Sequence, residues 1–288
     1  MKILITIPHY YNPSAGSMHG SGKNNPQIRI YALCSCLFNI YSLFGLSQCM
    51  IDIRHKKTVD VNNNYSHSID VVICTTNGKH LLNQANIPKN FYEQMEVKLE
   101  NPKFLGFECQ KVLKENLGKY DYYCFMEDDL IINDPYFFEK IKWFKGFSHF
   151  TNVLQPNRYE VSTCDRVLKS YIDGNINPGA TANYQNINEN PILSANILGQ
   201  NILFQRVLNP HSGCYFLTQE QMAHWAEQSH FLDMDTNFIS PLESSATLGL
   251  MKTFRVYKPS PQNASFLEIQ HYGNSFLGLI GKKIALAK

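Results

Sequence analysis

Charge is scarce in this chain. Only 17% of its 288 residues are Asp, Glu, Lys or Arg, against about 25% in an average soluble domain. The 26 basic and 24 acidic side chains nearly cancel to a formal net charge of +2. No basic field is present to attract phosphate backbones, so no nucleic-acid partner is expected. A CxxC pair is also lacking. The eight cysteines (Cys34, Cys36, Cys49, Cys74, Cys109, Cys124, Cys164 and Cys214) are scattered, several in apolar runs where a reduced thiol acts as a small hydrophobe. That pattern predicts a reducing, cytoplasmic setting rather than a disulfide framework or zinc site. Gly-x-Ser-x-Gly and a zinc-spaced histidine pair are missing, which removes support for hydrolase and zinc-protease chemistry. The glycine-rich run at 16–23 is not a phosphate loop, because Ser17 stands where the first glycine is required and Asn24 where Ser or Thr is required. What is plentiful is apolar surface, 44% of residues with 12% aromatic, enough to exclude global disorder.

The first half alternates strand and helix patterns. Residues 3–8 read as a buried first strand rather than a signal peptide, and 26–45 as a helix with Gly45 as its stop. The apolar stretch 30–51 is long enough to raise a membrane span. Asn39, Ser42, Ser47 and Gln48 interrupt it, and its helical spacing favours a packed core helix. Strands are expected at 49–54, 69–75 and 120–126, and a helix at 104–117 ending before Gly118. Continuous apolar strands between helices predict a mostly parallel, Rossmann-like sheet covered on both faces, an α/β single domain. Asn133 or Asp134 is expected to cap a helix opening at Pro135 and stopping at Gly146. From 164 to 201 the texture turns to Asn, Gly and Pro, as expected of a long binding loop. Strand-like patterns follow at 202–207, 254–257 and 266–271. Thr218-x-x-Gln221 is a capping box, with Met222 and Trp225 on the buried helix face, and Ser240-Pro-Leu-Glu243 opens one more helix. Residues 276–288 read equally as an amphipathic tail touching a membrane and as a docked last helix.

The densest chemistry lies at Glu127-Asp128-Asp129, three adjacent acids at the end of a buried-strand pattern. Like charges there repel and are poorly solvated, so they require a counter-charge. A hard divalent cation held by carboxylate oxygens, with substrate phosphate completing its shell, meets that need. Alternation along a strand predicts that Glu127 and Asp129 share a ligand while Asp128 turns away.

This cluster resembles the DxD-type metal motif of GT-A nucleotide-sugar glycosyltransferases. Other features look like the same family in the same order. These are the first strand running into Pro8-His-Tyr-Tyr-Asn12, Glu243 at the start of a late helix, and His271 in Glu268-Ile-Gln-His271. The resemblance spans roughly residues 1–275 and implies a GT-A-like fold. It divides the chain into a nucleotide-sugar half at 1–130, an acceptor-side half at 131–275 and a C-terminal tail at 276–288. It also implies Mn²⁺ or Mg²⁺ on Glu127, Asp129 and His271, neutralising a departing nucleoside diphosphate. Donor contacts would come from Pro8, Tyr10, Asn12, Thr75, Asn77, Asp128 and Asp129, with Arg29 and Lys23 as further contacts. If configuration inverts, Glu243 takes the acceptor proton, although the same residue also fits a helix cap. Asp233-Met-Asp235 is a second D-x-D at a helix end, and Asp235 is the alternative base. His211-Ser-Gly-Cys-Tyr-Phe216 looks like a turn lining the sugar pocket.

The implied partners are a nucleotide-sugar donor, with UDP favoured, and an acceptor of unspecified kind: glycan, lipid-linked, peptide or small molecule. The C-terminal tail adds a membrane contact to that set. Two other functions stay open on sequence alone: a non-catalytic nucleotide- or carbohydrate-binding protein on this fold, and a sugar nucleotidyltransferase.

Overall fold

The structure, a computed structural model, describes residues 1–13, 25–46 and 48–286. The glycine-rich run at 16–23, with Lys23, lies outside these residues. In the first half the order is β1 (Lys2–Pro8), α1 (Gln27–Phe44), β2 (Cys49–Asp52), β3 (Lys57–Asp60), β4 (Ser68–Thr76), β5 (Glu93–Val97), α2 (Leu105–Glu115) and β6 (Tyr122–Met126). Then follow β7 (Leu130–Ile131), α3 (Phe137–Phe147), β8 (Asn152–Leu154), β9 (Asn157–Val161), β10 (Lys169–Tyr171), β11 (Ile192–Ile197) and β12 (Gln200–Arg206). The chain continues through β13 (Cys214–Thr218), α4 (Gln219–Ala226), α5 (Pro241–Thr253), β14 (Arg255–Pro259) and β15 (Glu268–His271).

Five strands form the central sheet in the order β13-β6-β1-β4-β5. β1 pairs in parallel with both β4 and β6, β4 pairs in parallel with β5, and only β13 runs antiparallel, along β6. The expected α/β class and mostly parallel sheet are both present. Alternation explains its two covered faces. Ile3, Ile5 and Ile7 join Leu33, Leu37 and Ile40 of α1 in one core, while Leu4 joins Leu105, Cys109 and Leu113 of α2 with Leu250 of α5 in the other. Each fully buried Ile or Leu contributes roughly 1.5–3 kcal/mol. By length and composition α1 is apolar enough to cross a membrane, yet it packs seven buried residues, Ile30 to Phe44, on the sheet. Two smaller sheets, β10-β9-β15-β7 and β11-β12-β14-β8, are built from strands at and after Leu130. β13, from the second half of the chain, completes the central sheet.

Several expectations need correction. The strand at 49–54 is half of an exposed β2–β3 hairpin and takes no part in the central sheet. Four polar residues, Arg54 to Lys57, follow its short apolar run, too polar a continuation for a buried strand. α3 begins at Phe137, two residues after Pro135, and runs through Gly146. The Asp134 carboxylate accepts from the Tyr136 amide at 2.9 Å, ahead of the helix rather than as its cap. The stretch 164–201 contains β10 and β11. In the tail, Leu277–Leu279 form a 3-10 turn, with Leu277 buried. The capping box at Thr218 forms in both directions, and Met222 and Trp225 are buried beneath it.

Candidate functional site

The chain leaves β1 for β4 on one side and returns to β6 on the other, so strand order reverses between β1 and β6. Open α/β sheets bind ligands at the carboxyl ends of the strands on either side of such a switch. The loops meeting there are Pro8–Asn12 after β1 and Glu127–Asp129 after β6. A helix that follows a parallel strand starts at the strand's carboxyl edge, which places Arg29, in the first turn of α1, at the same spot.

The three acids face three different sets of partners. Asp128 spans the crevice: its Oδ2 lies 2.5 Å from His9 Nδ1, and its Oδ1 accepts from the Arg29 guanidinium. The Leu81 amide donates to His9 Nε2 at 3.1 Å, so Nδ1 carries the ring proton and donates to Asp128. Asp129 Oδ2 accepts from Arg29 Nη1 at 2.7 Å and lies 3.7 Å from His271 Nε2. Glu127 sits 3.9 Å from Arg158 Nη1 and 3.8 Å from His211 Nε2. The sequence expectation that Asp128 turns away is therefore wrong. The turn between β6 and β7 breaks strand alternation, and buried arginines supply the counter-charge.

Electrostatics separates the acids further. Burial raises the Glu127 carboxyl to about 8, opposed by Arg158 and reinforced by Asp129 and Glu243. Burial thus favours the protonated form of Glu127. Burial also works against ionised Asp128, but Arg29 and His9 outweigh it and hold that carboxyl at about 2. Burial opposes a proton on His271, and Asp129 and Glu160 override it, raising its pKa.

Among the described residues no three His, Cys, Asp or Glu are grouped to hold a metal ion. Glu127, Asp129 and His271 are therefore not the assembled triad expected from sequence. Two of them nonetheless fit a cation. Among the described residues Asp129 Oδ1 is buried without a hydrogen-bond partner. His271 is oriented by Nδ1, 2.9 Å from Glu160 Oε1, which leaves Nε2 toward Asp129. Hard cations of this kind are commonly held by one or two protein groups, with substrate phosphate and water completing the shell.

A second charged layer lies behind the trio. Asp173 accepts from Arg158 Nε and Nη2 at 2.9 and 2.8 Å, and from Lys258 Nζ at 2.8 Å. Lys258 also donates to the His211 carbonyl at 2.6 Å. Burial would raise Asp173, yet the two cations hold it well below the usual carboxylate range. His211 is kept neutral by burial and by Arg158. Gly213 has φ +63°, and a Cβ there would sit 2.7 Å from Glu127 Oε2, so glycine is required both for the turn and for the approach.

Glu243 lies in the first turn of α5, half-buried, and its charge acts on Glu127 across the site. The backbone capping box does not form; the Ser240 hydroxyl instead donates to the Glu243 carboxylate. Asp235 is elsewhere, held with Asp233 on Lys252 at the opposite end of α5, each at 2.8 Å. The Lys252 contact lowers Asp235's pKa, which weakens it as a base. Of the expected donor contacts, Pro8 ends β1 and Asn12 donates to the Tyr10 hydroxyl at 3.3 Å. Thr75 donates to Glu96, and Asn77 to the Leu99 carbonyl at 2.7 Å, so both are tied to β5 and its exit. Sequence reasoning named no role for His9, Arg158, Glu160, Asp173 or Lys258.

No family model and no curated protein matches this chain. Among solved structures it is similar to S. aureus TarS, at 10% identity and a TM-score of 0.48, over 95% of this chain and 37% of that one. The chain thus spans little more than a third of that structure's length. At that level the likeness assigns neither family nor activity.

Proposed function

We propose that this chain is a GT-A-like glycosyltransferase that moves a sugar from a nucleoside-diphosphate donor, with UDP favoured, to an acceptor hydroxyl. The observation that carries this reading is the acidic trio at the β1–β6 switch point, bracketed by Arg29 and with Asp129 Oδ1 buried and unpartnered. Such a crevice suits a ligand bringing both a cation and phosphate oxygens. Asp129 and His271 would hold a Mn²⁺ or Mg²⁺ ion, which when bound supplies Lewis-acid neutralisation of the departing diphosphate.

The chain's own residues do the rest. Arg29 fixes Asp128 and Asp129 and places a positive charge beside the phosphate position. His9 ties the loop after β1 to the loop after β6, keeping the crevice walls in register. Glu160 holds the His271 ring. Glu243, in the first turn of α5 with its carboxylate held by the Ser240 hydroxyl, is the base that takes the acceptor hydroxyl's proton in an inverting displacement. Burial favours a proton on Glu127, which lessens the negative charge set against the diphosphate.

Calorimetry of a nucleotide and nucleotide-sugar panel, with and without Mn²⁺, followed by donor-turnover assays, tests this. Cation-dependent nucleoside-diphosphate binding with sugar release or transfer is expected. Binding without turnover would make the chain a binding protein, and pyrophosphate release from a nucleoside triphosphate would make it a nucleotidyltransferase.

A further inference from the structure

A second charged cavity lies at the far end of α5, about 15 Å along the helix from Glu243 by helical rise. It has a volume of about 340 Å³ and is lined by Arg206, Arg255 and Lys252, with Glu189, Gln185 and Thr151 among its other walls. Arg206 is only 8% exposed. Its terminal nitrogens meet neutral acceptors alone, the Glu189 carbonyl at 3.3 Å and Gln185 Oε1 at 3.4 Å, and its Nε has no partner. A buried guanidinium without a carboxylate is costly, because its desolvation is not offset by an opposite charge.

The surroundings supply that charge only in part. Arg206 lies opposite Tyr257 in the β12–β14 pairing, and Arg255, two residues earlier on β14, shares its face. Burial lowers the Arg206 pKa and Arg255 lowers it further, while Tyr257 and Glu189 oppose them without restoring the usual value. Glu189 is engaged by Arg255, whose own Nε is buried and unpartnered, while Asp233 and Asp235 are both taken by Lys252. The carboxyl end of α5 offers only partial negative charge.

We infer that this cavity is a binding site for a phosphate-class oxyanion, free or as the phosphate of a small ester, with Arg206 and Arg255 as its ligands. The Arg206 terminal nitrogens, held by neutral acceptors alone, and the Arg255 guanidinium, on the neighbouring strand and the same face, match the several acceptor oxygens of a phosphate. The cavity is larger than one phosphate requires, which leaves room for the ester's carbon skeleton. The site is independent of sugar transfer and holds or fails separately from it.

The test is calorimetry of the whole chain with inorganic phosphate and, in a second arm, ribose 5-phosphate, against chloride at matched ionic strength. Saturable binding in either arm is expected, with Arg206→Gln weakening it about tenfold or more, as loss of hydrogen bonds to a charged group implies. Arg255→Gln, at the cavity rim, should weaken it by a smaller factor and serves as the readout if Arg206→Gln does not fold. Ligand-free Arg206→Gln should melt no lower than the parent, since an uncompensated charge has been removed. Absence of saturable binding in both arms overturns the inference. So does binding that survives both substitutions unchanged, as phosphate held by Arg29 would.

Discussion

Two acidic stretches of this chain look alike as strings, Glu127-Asp128-Asp129 and Asp233-Met-Asp235, and the fold treats them oppositely. The second sits after α4, partly exposed, with each carboxylate closed by one lysine, Lys252, at 2.8 Å. The first sits at the carboxyl end of a central strand, with two arginines and three histidines around it and one carboxylate oxygen left over. An acid closed by a lysine has nothing further to bind. One with a buried, unused oxygen at a topological switch point does. The difference is made by position in the sheet, not by the residue types.

The comparison is broken most directly at Asp129. Asp129→Ala should abolish donor turnover and cation-dependent nucleotide binding, while Asp233→Ala should leave both near the parent's values; matching losses in the two variants would show that the clusters do not differ. The next largest effect concerns stability. Asp173→Asn leaves Arg158 and Lys258 without their shared carboxylate, and removing one partner of a buried ion cluster costs about 3–5 kcal/mol, read as a lowered urea midpoint. A third test uses pH. Asp128, ordinarily 3.8, is held at about 2 in the fold. Its contribution is therefore present above 3.8 and lost as pH falls through about 2. Arg29→Met removes the main cause of that depression and should move the acid-unfolding midpoint, followed by circular dichroism, to higher pH. The smallest effect belongs to the second cluster, where Lys252→Met should cost no more than about 1 kcal/mol, as for partly exposed pairs.

Much of the scaffold was legible because it is local. The apolar run of β1 reads directly from the chain, and Pro26 and Gly45 bound α1 as the sequence suggests. Thr218 and Gln221 cap α4 within one turn. The site's counter-charges were not legible, because their partners are distant: Arg29 and Asp129 are 100 residues apart, and Lys258 and Asp173 are 85 apart. One signal was available. Arg158, Glu160 and Lys258 stand inside short strand patterns beside Tyr159 and Tyr257, and a charge within such a run requires a buried partner. In a chain this poor in charge those three are as anomalous as the trio itself. The β2–β3 hairpin was misjudged for the opposite reason, since Met50, Ile51 and Ile53 look like core yet stay exposed.

The central claim is that the acids at the β1–β6 crevice, and not those beside Lys252, serve a nucleotide-sugar reaction. Its most direct test is release of nucleoside diphosphate from a panel of nucleotide-sugars with Mn²⁺ present, run on the parent chain, Asp129→Ala and Asp235→Ala side by side. The account predicts release by the parent and by Asp235→Ala at similar rates and none by Asp129→Ala. Release by Asp129→Ala at the parent's rate, or its loss in Asp235→Ala alone, would contradict it.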